Sequence, residues 1–178
     1  MIGNVIPNIR KSSKKILAVR ILIIALMILN IVFIWHNSAK ISKESNKTSK
    51  KIATGVATVI VDDYESLPKP EQKKHVSIIN GKIRSIAHFV EFVPLGFLFY
   101  LLAMSIFDMR EKKLYRKFLM YAIIAILLTL LVALGDEIHQ LYVKGRTFQI
   151  RDILVDTSGA LLGCIVAFIP TYVLRKRI

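Results

Sequence analysis

Four long apolar runs divide the chain. No charged residue falls between Arg20 and Lys40, and Ile21 to Trp35 is almost purely aliphatic. A second run extends from Ile86 to Phe107, broken only by His88 and Glu91. The third, Phe118 to Gly135, carries no charge, and the fourth, Ile153 to Leu174, contains only Asp156. Each is close to the roughly 20 residues with which a helix crosses a bilayer core. Helices of a soluble bundle keep a polar face at the 3.6-residue period, and these runs are apolar on all sides. The pattern predicts an all-α, polytopic membrane protein with four transmembrane helices, so its first partner is the lipid bilayer.

The runs imply a division of the chain. Residues 1–15 form a basic N-terminus and 16–35 the first span. An extracellular loop of about 50 residues covers 36–85. A core of spans two to four occupies 86–174, with an outer loop over 135–152, and 175–178 is a basic tail. The first span has the basic start of a signal peptide. Its apolar region is longer than the usual 7–15 residues, so it reads as a retained helix. In the long loop, Ile52 to Val61 is β-branched and suits strand or helix, and Leu67-Pro68-Lys69-Pro70 interrupts it. Val76, Ile79 and Ile83 suggest an interfacial amphipathic helix leading into the second span, which Asn80-Gly81 would weaken.

Charge then sets the orientation. Of 178 residues, 54% are hydrophobic, yet 26 Lys and Arg against 12 Asp and Glu give a net charge of +14. Apolar spans separated by basic loops reconcile the two. Arg10, Lys11, Lys14 and Lys15 precede the first span. Arg110, Lys112, Lys113, Arg116 and Lys117 crowd the link between the second and third, and Arg175, Lys176 and Arg177 end the chain. Connectivity puts these clusters on one side, and the positive-inside rule makes that side cytoplasmic. The reading is a multi-pass plasma-membrane protein with both termini inside. No nucleic-acid motif accompanies the charge, so nucleic acid is not an expected partner. The single cysteine, Cys164, allows no intrachain disulfide and no cysteine-based metal cluster.

Polar residues collect at the other side. His88 and Glu91 are three apart on the second span and share a face. Asp136, Glu137 and Gln140 close the third run. Lys144-Gly145-Arg146 reads as a turn, and Asp152, Asp156, Gly159 and Gly163 share a stripe on the fourth. An ionised side chain in hydrocarbon costs about 2.5–3.5 kcal/mol, so these groups should meet inside the bundle. Arg146 and Arg151 are the natural partners of the acids. The cluster reads either as an ion-pair lattice or as a polar pocket open to the outer leaflet. His139 lies off the shared stripe and reads as solvated. No HExxH, phosphate loop, Ser–His–Asp set or CxxC is present, so neither a metal nor a cofactor is expected. Gly159 and Gly163 permit close helix contact.

These motifs resemble the VanZ-like family of small bacterial membrane proteins. The family pattern H-x-x-E-[YF]-x-x-L-G appears as His88 through Gly96, and D-E-x-x-Q-x-[FY]-x-x-x-R as Asp136 through Arg146. D-x-x-x-N-x-x-G-x-x-x-G appears as Asp152 through Gly163, with Asp156 where the family usually has Asn. Ser38, Ser42 and Ser45 are similar to a serine-rich stretch after the first span. The resemblance implies a polytopic plasma-membrane protein of the cell envelope associated with low-level resistance to teicoplanin, a lipid-tailed glycopeptide, and the Ile- and Lys-rich composition suits a Gram-positive bacterium. His88, Glu91, Asp136 and Glu137 are then the candidate catalytic residues, and Gln140, Arg146, Asp152 and Asp156 the candidate ligand-binding ones. Either the drug is bound, or an envelope lipid or lipid-linked cell-wall precursor is altered, with Arg146 as an anion clamp. The other reading is a non-enzymatic scaffold or small transporter whose polar cluster is structural.

Overall fold

The structure, a computed structural model, describes residues 5–39, 42–107 and 113–175, with side chains described over 14–39, 49–107 and 113–170. Of the basic clusters, Arg110, Lys112, Lys176 and Arg177 lie outside the described residues. The described chain is helical and contains no strand. It comprises α1 (Val5–Ser38), α2 (Ser42–Ile60), a 3-10 turn (Tyr64–Ser66), α3 (Lys69–Ile106), α4 (Leu114–Gln140) and α5 (Ile150–Arg175). Four helical segments are long and apolar enough to cross a membrane: Lys14–Ser38, Lys69–Ile106, Leu114–Gln140 and Ile150–Pro170. Their outward faces are aliphatic, with Leu29 65% and Leu131 66% exposed. Side chains of that kind suit a lipid boundary, since hydrocarbon is their favourable solvent.

Helix α3 is the axis of the fold. Its 38 residues span about 57 Å at 1.5 Å per residue. That is nearly twice the roughly 30 Å of a bilayer core. The apolar half begins at Ile86, and the preceding half is polar. Helix α2 packs against α3, and its Ala53 and Ala57 are fully buried. Helix α3 runs unbroken through Asn80-Gly81, with Asn80 buried and Gly81 exposed. A glycine in a helix interior costs about 1 kcal/mol relative to alanine. The region Ile52–Val61 is therefore helix up to Ile60, and the predicted amphipathic segment is the first half of a spanning helix.

The closest packing joins α3 to α5. A Cβ on Gly159 would collide with the carbonyl of Phe89, one on Gly163 with that of Val93, and one on Gly96 with backbone of Ala160. Three small positions thus let two helix backbones touch, which replaces the hydrophobic drive that lipid cannot provide between helices. Near the far end of α3, Tyr100 packs against Phe118 and Tyr121 at centroid distances of 5.9 and 5.8 Å. Phe118 in turn meets Phe168 of α5 at 4.8 Å.

Candidate functional site

At the opposite end, polar side chains from every spanning helix converge. Helix α4 continues through Gly135 to Gln140, so the polar run after its apolar stretch is its last turn. The link to α5 is accordingly shorter than the predicted loop of 135–152. Within that turn Gln140 Nε2 donates to Asp136 Oδ2 at 2.9 Å and to Glu137 Oε1 at 3.1 Å. The i, i+4 and i, i+3 spacings place one amide against both carboxylates. Asp136 and Glu137 are fully buried and Gln140 is 1% exposed.

Neighbouring elements complete the shell. Ser38, in the last turn of α1, donates to Asp136 Oδ2 at 2.8 Å. Asn37 Nδ2 donates to Glu91 Oε1 at 2.8 Å. The backbone N–H of Gln149 donates to Glu137 Oε2 at 2.7 Å, tying the α4–α5 link to the end of α4. On the α3–α5 seam, His88 Nδ1 lies 3.4 Å from Asp156 Oδ1. Asp156 is fully buried, and neither of its carboxylate oxygens has a hydrogen bond. Asp152 is also buried, in the first turn of α5. All eight residues singled out from the sequence lie at this end of the bundle. His88 and Glu91 share a face of α3, and both line a cavity of about 80 Å³ with Asn37, Ser38, Arg84 and Arg146.

Two expectations are corrected. Arg146 and Arg151 do not pair with the acids. The single ion pair among the described residues is His88–Asp156, Arg151 is exposed, and Arg146 Nε is buried without a hydrogen-bond partner. The turn explains where Arg146 goes. Gly145 adopts φ 81°, a left-handed conformation that glycine takes without penalty. Together with the Arg146 N–H donating to the Val143 carbonyl at 3.0 Å, this sends the chain back toward α3. Burial, and then the like charge of Arg84, push the Arg146 guanidinium below its ordinary range, while Asp136, Asp152 and Glu137 pull it back up. Secondly, His139 is half-buried and stacks on Trp35, with ring centroids 6.0 Å apart and an interplanar angle of 11°.

Sequence reasoning missed Arg84, Asn37 and the role of Ser38. Signals for them existed. Arg84, His88 and Glu91 stand at i, i+4 and i+7, one helical stripe. Asn30 and Asn37 are seven apart on α1, and Asn30 Nδ2 approaches the Glu91 carbonyl at 3.4 Å. Among the described residues, no three His, Cys, Asp or Glu side chains are arranged to hold a metal ion. Chemically, the cavity offers one carboxylate, one imidazole and two guanidinium groups, while Asp136, Glu137, Gln140 and Asp156 are buried and are not among its lining residues.

Four apolar spanning helices with a shared polar end define a polytopic helical membrane protein. The chain matches the VanZ/LLP1 family over residues 20–171, and it belongs to that family. No curated protein matched the chain. No solved structure matched it either.

Proposed function

We propose that this protein lowers susceptibility to lipid-tailed glycopeptides of the teicoplanin kind. It does so from a polar pocket at the outer leaflet of the plasma membrane, with both termini cytoplasmic. The observation that carries the reading is the convergence of His88, Glu91, Asp136, Glu137 and Asp156 at one end of the bundle with acceptor atoms left over. Buried polar atoms without partners are costly and are retained where a ligand uses them. The carboxylates bind ammonium groups or sugar hydroxyls of the drug. In the enzymatic form, Glu91 or Glu137 acts as general base on an envelope lipid with His88 beside it.

The test is expression in a susceptible Gram-positive host. Tolerance to teicoplanin should rise more than tolerance to vancomycin, because the lipid tail holds the first drug at the depth of the pocket. Glu91→Gln retains an acceptor for Asn37 while removing charge and basicity. Glu137→Gln does the same opposite Gln149. Both variants should accumulate normally and lose protection. Equal protection against both drugs, or full protection by both variants, would refute the reading.

A second reading, a scaffold or small transporter with structural polar glue, draws on the contacts that cross elements: Ser38–Asp136, Asn37–Glu91 and Gln149–Glu137. It predicts that the same two variants disappear from the membrane.

A further inference from the structure

The cavity beside His88 is lined by two arginines, Arg84 and Arg146, and by one carboxylate, Glu91. Arg84 reaches it from α3, one turn before His88, and Arg146 from the Gly145 turn. Both side chains are half-buried. Among the described residues no carboxylate lies within ion-pairing distance of either, and Asp136, Asp152 and Glu137 act on Arg146 only from farther away. The one acid that lines the cavity, Glu91, accepts a hydrogen bond from the neutral Asn37 amide at 2.8 Å and supplies at most one negative charge against two guanidiniums. Two half-buried like charges facing one space repel each other. Arg146 Nε is moreover a buried donor with nothing to bind. Such an arrangement is stable when an anion sits between the cations.

We infer that Arg84 and Arg146 form a clamp for a phosphate group, with Arg84 as a binding residue of the site. Each guanidinium presents five N–H donors in a planar fork, and two forks match the several oxygens and the double charge of a phosphate monoester. A carboxylate, with two oxygens, fills one guanidinium fork and leaves the other without an acceptor. Position agrees with this chemistry. The cavity lies where α1 ends at Ser38 and α4 at Gln140. This is the level at which span ends meet the headgroup layer. The phosphate can belong to a lipid headgroup or be free in solution, and the two sources share this recognition. The inference builds on the reading of this cavity as a ligand site and names the ligand's class.

The test uses the full chain in a neutral detergent, titrated separately with dioctanoyl phosphatidic acid, dioctanoylglycerol and inorganic phosphate. Binding is followed by calorimetry and by the fluorescence of Trp35, the only tryptophan. Phosphatidic acid should bind. Dioctanoylglycerol, which has the same tails without the phosphate, should not. Arg84→Gln and Arg146→Gln should each weaken phosphatidic acid by about tenfold or more, the loss expected for a charge-assisted hydrogen bond. Lys82→Gln removes the same charge from an exposed position and should bind like the parent. Thermal unfolding of each variant identifies any that fails to fold.

Comparable binding of inorganic phosphate would assign the site to a free anion, and much weaker binding to a lipid headgroup. Either result supports the clamp. Equal binding of dioctanoylglycerol and phosphatidic acid would overturn it. So would unchanged affinity in both folded arginine variants, or a loss in Lys82→Gln as large as theirs. Failure here with drug protection intact removes the clamp alone. Arginine-dependent binding without drug protection removes the antibiotic reading and leaves the clamp standing.

Discussion

Where α3 ends and α4 begins, Tyr100 is 2% exposed and sits among Phe118 and Tyr121, whose hydroxyl donates to the Phe107 carbonyl at 2.9 Å. Arg20 hydrogen-bonds the Ser105 carbonyl there, and only its Nε is left over. At the opposite end, equally buried positions hold Asp136, Glu137, Gln140 and Asp156. Asp136 Oδ1, Gln140 Oε1, both Asp156 oxygens and Arg146 Nε there have no hydrogen bond. Aromatic packing alone would close a bundle at either end. Buried acceptors without partners are expensive, and packing alone does not account for them. The difference separates an end closed by aromatic packing from an end where buried polar groups are left without partners.

The largest effect should follow from breaking the aromatic end. Tyr100→Ala removes a buried ring and should cost about 3–5 kcal/mol. Protein abundance in membranes and unfolding temperature in detergent measure it, and both should fall sharply. Substitutions at the polar end should not imitate this. If Glu91→Gln destabilised the protein as much as Tyr100→Ala, the contrast between the two ends would be lost.

A smaller effect sharpens the comparison within the polar end. His88→Ala leaves the Asp156 carboxylate with no partner and should cost about 2–3 kcal/mol. Asp156→Asn restores the amide usual for the family and removes a buried charge, so it should change stability by less than about 1 kcal/mol. In the Asp156→Asn background, His88→Ala should cost about 1–2 kcal/mol less than it does alone. Additive losses in thermal unfolding would mean that the 3.4 Å contact carries no energy.

The spans were legible because hydropathy is a one-dimensional signal, and lipid imposes it on every residue of a crossing helix. So was the gathering of polar groups, since connectivity alone brings the start of the second run, the end of the third and the start of the fourth to one side. Helix ends were harder. The apolar run stops at Gly135, but backbone hydrogen bonding does not, and Gln140 gains two side-chain bonds by staying helical. Asn80-Gly81 looks like a break, yet α3 runs through it without interruption. Charge alone points Arg146 at the acids, yet the turn at Gly145 brings it to the cavity that Arg84 also lines. Long-range placement of that kind depends on one backbone angle, which composition and periodicity do not encode.

The claim that the polar end opens to the outside is the most directly testable. Cys164 is fully buried, so Cys164→Ser gives a thiol-free background, and Lys144→Cys then introduces one reporter on the exposed link beside the site. A membrane-impermeant maleimide should label this variant in intact cells. Labelling that requires permeabilisation would place the polar end in the cytoplasm and contradict the account.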